Sequence, residues 1–101
     1  MSLDHNFRGS YSTSDITTNP SACKIASYGD KEVILHVGPE GAVGLVYTDA
    51  ATTPTALTTA HYLPAGWVGT LNTKRALWVK RWDSGVAASC SFVSTRPYVA
   101  A

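Results

Sequence analysis

KEVILHVGPEGAVGLVYT, residues 31–48, carries the most regular pattern in the chain. Val33, Leu35 and Val37 alternate with Glu32, Ile34 and His36, the period-two signature of a strand with two distinct faces. Gly38-Pro39-Glu40-Gly41 reads as a turn by composition. Beyond it, residues 42–48 resume the alternation, with Val43, Leu45 and Tyr47 in phase. Two strands around one turn predict an antiparallel hairpin over 31–48.

The same grammar extends to both sides. Downstream, DAATTPTA (49–56) predicts a longer loop, and LTTAHYL (57–63) a strand with Leu57, Thr59, His61 and Leu63 in phase. Leu63-Pro64-Ala65-Gly66 predicts a reversal between two β runs, followed by WVGTL (67–71), with Trp67 expected in the core. RALWVKRW (75–82) is the richest strand, and VAASCSFV (86–93) places Val86, Ala88, Cys90 and Phe92 on one face. Turns are expected at 28–30, 72–74 and 83–85, and Pro97 discourages a further central strand. Upstream, CKIAS (23–27) is a brief strand. Short strands, regular turn signals and no helical period predict an all-β domain, a small antiparallel β-sandwich or barrel of about seven strands.

Residues 1–22 lack either period. The expectation is an extended N-terminal arm over 1–22, ahead of a sandwich or barrel domain over 23–101. Phe7, Tyr11 and Ile16 are widely spaced apolar residues that would suit contacts on a neighbouring chain; a free terminus is the competing reading.

Composition narrows the function. The chain has 101 residues, enough for one domain that buries a thin core. Only 15% of residues are charged, against roughly 25% in ordinary soluble domains. Part of the surface is therefore expected to be covered by other chains. A net charge of +1 gives no bulk attraction to nucleic acid or to an acidic membrane. The first ten residues lack the features of a signal peptide, and no apolar run is long enough to span a bilayer. A soluble product of the cytoplasm is the expectation.

Catalytic patterns are missing. His5, His36 and His61 are scattered, and the carboxylates Asp30, Glu40, Asp49 and Asp83 fall in turn segments. No G-x-S-x-G elbow occurs, and the glycines at 38, 41 and 44 match neither a Walker loop nor a dinucleotide fingerprint. No catalytic residue, cofactor or metal is expected, and the protein is not expected to be an enzyme.

The aromatic residues are more informative. In 75–82, Leu77 and Val79 share one face with Arg75 and Arg81, while Trp78, Lys80 and Trp82 share the other. Apolar bulk on both faces means a central strand, or a strand whose second face meets another subunit. Trp beside Lys and Arg is typical of interface hot spots. Trp78, Lys80 and Trp82 are therefore candidate interface residues; core and sheet-edge roles are the alternative. A stacking platform for sugars, built from Tyr47, Tyr62, Trp67, Trp78 and Trp82, is a minor reading. Cys23 and Cys90 lie on the first and last expected strands, which a closed sandwich often brings together. Buried free thiols are the default, and a Cys23–Cys90 disulfide is the candidate alternative in an oxidising medium.

SDITTNPSA (14–22), the strands of 31–48, LPAG (63–66) ahead of Trp67, KRALWVKRW (74–82) and Ser84-Gly85 together resemble small structural proteins of tailed bacteriophages and gene-transfer particles, of the head-decoration or head-spike base type. The likeness covers about residues 14–93. The Ala-Ser-Cys-rich stretch at 87–91 departs from the Gly-Ile-Val-like residues of that pattern. The resemblance implies a virion protein that is a homo-oligomer and binds the major capsid protein or another virion protein. A tail, neck or fibre-tip position is the alternative, as is a carbohydrate-binding module.

Overall fold

A computed structural model describes residues 4–27, 32–48, 52–55, 58–72 and 75–96, with the side chains of 4–8 and 95–96 outside that description. The strands are β1 (Asp4–Tyr11), β2 (Lys24–Ala26), β3 (Glu32–Val37), β4 (Val43–Thr48), β5 (His61–Leu63), β6 (Val68–Asn72), β7 (Ala76–Arg81) and β8 (Cys90–Arg96). A 3-10 turn at Pro20–Ala22 is capped by Asn19, whose side chain accepts from the Ser21 N–H. The strands form two four-stranded antiparallel sheets in the orders β1-β8-β3-β6 and β2-β7-β4-β5. Those two orders are the eight-stranded jelly roll, a sandwich closed by connections that cross from sheet to sheet.

The alternation in β3 lands as its residues dictate. Val33, Leu35 and Val37 are buried, and Ile34 and His36 are exposed. They meet Val43, Leu45, Leu77, Val79, Ile25 and Phe92 in one core between the sheets, with Tyr11, Leu63, Trp67 and Leu71 packed at its margins. Trp67 is half-buried at the margin of the core, and its indole lies against the backbone of Gly69, where a side chain would collide with it.

The hairpin expected over 31–48 does not form. β3 and β4 lie in different sheets, and residues 38–42 carry the chain across the sandwich. Close backbone nesting holds this crossing. The Gly38 N–H donates to the Ser89 carbonyl at 2.7 Å, and a Cβ at Gly41 would overlap the Ala87 carbonyl oxygen. Glycine at both positions lets the 38–42 and 82–89 connections touch. The Pro64-Ala65-Gly66 reversal also changes sheet, from β5 to β6. Its Gly66 has φ 78°, and the Trp67 N–H bonds back to the Pro64 carbonyl, a type II pattern. The described residues form eight strands, in keeping with the about seven expected; the added one is residues 4–11.

Residues 4–22 are extended but lie on this chain's own domain. β1 pairs with β8 from Asp4–Arg96 to Tyr11–Cys90. Past β1, the Ser12 N–H and hydroxyl both donate to the Asp15 carboxylate, and the Asp15 and Ile16 N–H groups return to the Ser12 carbonyl. That turn drives Ile16 into the core, where none of its surface is exposed. Arg81 fastens the segment: its guanidinium donates to the carbonyls of Ile16, Thr13 and Ser84, and its N–H donates to the Thr17 carbonyl. The last strand starts at Cys90, and residues 86–89, expected to begin it, belong to the crossing connection. The expected turns at 28–30 and at 73–74 lie outside the described residues.

Candidate interaction surface

β7 is central in its sheet, between β2 and β4. Its Leu77 and Val79 enter the core, so Trp78 and Lys80 stand on the outer face. Register sets their neighbours: Trp78 lies opposite Lys24 and Val46, and Lys80 opposite Gly44, which in turn faces Tyr62. The Trp78 indole N–H donates to the Thr48 hydroxyl at 3.1 Å, and the Lys24 ammonium sits 5.6 Å from the Trp78 ring centroid. Both interactions hold the indole against the sheet, so Val46 is fully buried although it lies outside the inter-sheet cluster. Apolar bulk on both faces of 75–82 therefore has a structural cause: the outer face carries a thin second layer of its own.

Trp82 follows β7 and extends its pairing, with its N–H donating to the Ala42 carbonyl at 3.3 Å. Its ring reaches over Gly44, where an added Cβ would stand 3.6 Å from Cε3. Tyr62 meets it edge to face, with ring centroids 5.1 Å apart and planes at 71°. Tyr62 keeps 55% and Trp82 47% of its surface exposed. Two large aromatic side chains held in place by a glycine floor, with half-buried Lys80 alongside, have the composition of a binding hot spot.

The structure thus brings Trp78, Lys80 and Trp82 together and adds Lys24 and Tyr62, which sequence reasoning left out of the interface. The pairing register that aligns Tyr62 with Gly44 and Lys80 is the signal that finds Tyr62. The N-terminal candidates go elsewhere. Ile16 is in the core, and Tyr11 stacks on Phe92 at 5.4 Å while its hydroxyl donates to the Lys24 carbonyl at 2.6 Å. This chain's own sheets cover Ile16 completely and Tyr11 in part. The side chain of Phe7 lies outside the described residues.

The five-ring platform is dispersed. Trp67 is on the core side of the first sheet, and Tyr47 is at the mouth between the sheets, stacked on His61 at 5.3 Å with the Arg75 guanidinium 5.2 Å away. An open hollow of about 400 Å³ beside it is lined by Leu45, Tyr47, Leu71, Asn72, Arg75 and Leu77. A second hollow, about 420 Å³, lies on the outer face of the first sheet over Ile34, His36, Ser91 and Val93.

Cys23 and Cys90 are buried free thiols in the structure. The Cys23 thiol donates to the Asp15 carbonyl at 3.2 Å. Burial, with the Asp15 carboxylate adding to it, pushes Cys23 up to about 11. Burial and the neighbouring Cys23 push Cys90 up to about 12 against a bond from the Tyr11 backbone. Both are protonated, unreactive thiols at neutral pH. Among the described residues no three His, Cys, Asp or Glu side chains gather into a metal-binding group. The Ser89 hydroxyl donates to Glu40 at 2.6 Å, which ties two connections together. Comparison with protein-family models, characterised proteins and solved structures finds no match for this chain.

Proposed function

We propose that this protein is a structural component of a phage-like particle, a capsid decoration or head-spike base protein that binds the assembled head. Its partner is the major capsid protein or another virion protein. It acts as a homo-oligomer and carries out no catalysis. The observation that carries this reading is the exposed Tyr62–Trp82 pair flanked by Lys80 on the outer face of the second sheet. The sheet holds these side chains in one arrangement, so little ordering entropy is lost on docking. Lys24 and Lys80 suit a partner surface with acidic groups. The low charge of the chain and its resemblance to head-decoration proteins support the same reading, and the jelly roll is an architecture that viral capsid proteins share with lectins. A neck or tail position would use the same face.

A sugar platform is the weaker alternative, because rings at 71° to one another give no flat stacking surface. Co-sedimentation with heads that lack the protein is the test. The intact protein binds, and Trp82→Ala lowers affinity by about 30-fold or more, the effect of losing one hot-spot aromatic. Circular dichroism confirms that the variant is folded. Failure of the intact protein to bind heads, or undiminished binding by a Trp82→Ala, Tyr62→Ala double variant, refutes the proposal.

A further inference from the structure

We infer that β6 is a self-association edge, through which a second copy of this chain pairs antiparallel to extend the first sheet. An exposed edge strand presents unpaired N–H and C=O groups, and proteins ordinarily blunt such edges by shortness, charge, proline or a bulge. Three of the four edges here are blunted. β1 has a register shift between His5 and Phe7. β2 is three residues long with a shift and Lys24. β5 is three residues long and runs into Pro64. β6 has none of these devices. Val68–Asn72 is five residues of unbroken register against β3, with no charge and no proline.

The ladder shows which groups are free. The Val37 N–H donates to the Trp67 carbonyl, so Val37–Trp67 is a hydrogen-bonded pair. Alternation then makes Leu35–Gly69 and Val33–Leu71 the next bonded pairs. Val68, Thr70 and Asn72 therefore direct their N–H and C=O away from β3. Among the described residues no bond reaches them from the open side.

A second copy fits this edge by symmetry. With a two-fold axis at Thr70, that residue faces itself and Val68 faces Asn72 of the other copy. All three are then hydrogen-bonded positions, giving about six bonds across the seam. Thr opposite Thr is a favourable cross-strand pair, and no like charges meet. Val68, 62% exposed, and Ile34, 47% exposed, stand on the outer face beside this edge and would continue across the joined sheet.

This names the surface behind the homo-oligomer proposed above, and it is read on the purified chain without heads, so the two readings fail separately. Sedimentation equilibrium of the full chain gives twice the 10.7 kDa chain mass. Thr70→Pro removes an outward N–H without touching the β3 ladder, and it halves that mass while the circular dichroism is kept. Thr70→Lys and Thr70→Glu are each monomeric, because like charges meet on the axis, and mixing them restores the dimer mass. A monomeric wild-type chain, an unchanged mass in Thr70→Pro, or a Lys/Glu mixture that stays monomeric overturns the inference.

Discussion

Ile16→Ala tests whether the N-terminal region belongs to the domain. Ile16 is fully buried among the residues between the two sheets. Its main chain is held by the Ser12–Asp15 turn and by Arg81, so the site cannot collapse freely around a smaller side chain. Truncating a buried isoleucine costs about 2–5 kcal/mol, the transfer term plus the cavity left behind. A middle value of about 3 kcal/mol lowers Tm by roughly 12–24 °C in a domain of this size. In urea it moves the midpoint down by about 1–3 M, since m is about 1–3 kcal/mol/M. Thr18→Ala, on an exposed residue of the same segment, is the control and stays within about 0.5 kcal/mol. Paired thermal and urea melts of the three proteins decide the matter. An Ile16→Ala curve that overlays both others would mean that the segment is detached, as a sequence reading of an arm requires. Deleting residues 1–20 is expected to abolish folding, since it removes Ile16 together with all of β1, the strand that flanks β8.

Arg81→Lys keeps the charge but loses the fork that reaches three carbonyls, so about 1.5–3 kcal/mol of stability should go, read as a lower urea midpoint; an unchanged midpoint would show the clamp to be idle. Gly41→Ala forces a methyl onto the Ala87 carbonyl and should cost about 1–3 kcal/mol, whereas Ala65→Gly in the exposed turn should cost under about 1 kcal/mol; equal losses in the two melts would remove the nesting argument. Native protein at pH 7 should resist a thiol reagent that labels both cysteines after denaturation, and prompt native labelling would contradict their burial. The folded thiols ionise at about 11 and about 12, above their ordinary value of 9.0, so the unfolded chain loses those protons first. Their contribution is complete below about pH 9 and declines as pH rises towards 12. Unfolding free energy measured at pH 7 and pH 10 should fall, and the fall should shrink in Cys90→Ser.

Trp78 and Trp82 show how one sequence pattern can hold two roles. Both stand on the same side of 75–82, and alternation alone cannot rank them. Cross-strand partners do so. Trp78 finds Thr48 and Lys24 and is held down, whereas Trp82 crosses Gly44 to meet Tyr62 and stays open. Tyr62 was illegible as a partner because its place depends on the register of β5 against β4, which is a long-range property.

The sequence by itself determined most of the strand segments, β1 excepted, and the buried face of β3. β3 and β7 were readable because a buried face needs an apolar residue at every second position, and that requirement is local. Gly38, Gly41, Pro64 and Gly66 likewise marked where the chain must bend. Only the tertiary structure decided where each bend leads. A Gly-Pro turn between two alternating runs is equally compatible with a hairpin and with a crossing between sheets; the choice fell to the 82–89 connection, whose backbone lies against Gly38 and Gly41. Residues 4–22 were the hardest to read. β1 is an edge strand, and the turn after it satisfies its polar groups locally and sends a single apolar side chain, Ile16, inward. Among the described residues of this segment only Ile16 and Pro20 are fully buried, too few to leave a period in the sequence, and only the core that receives Ile16 explains its position.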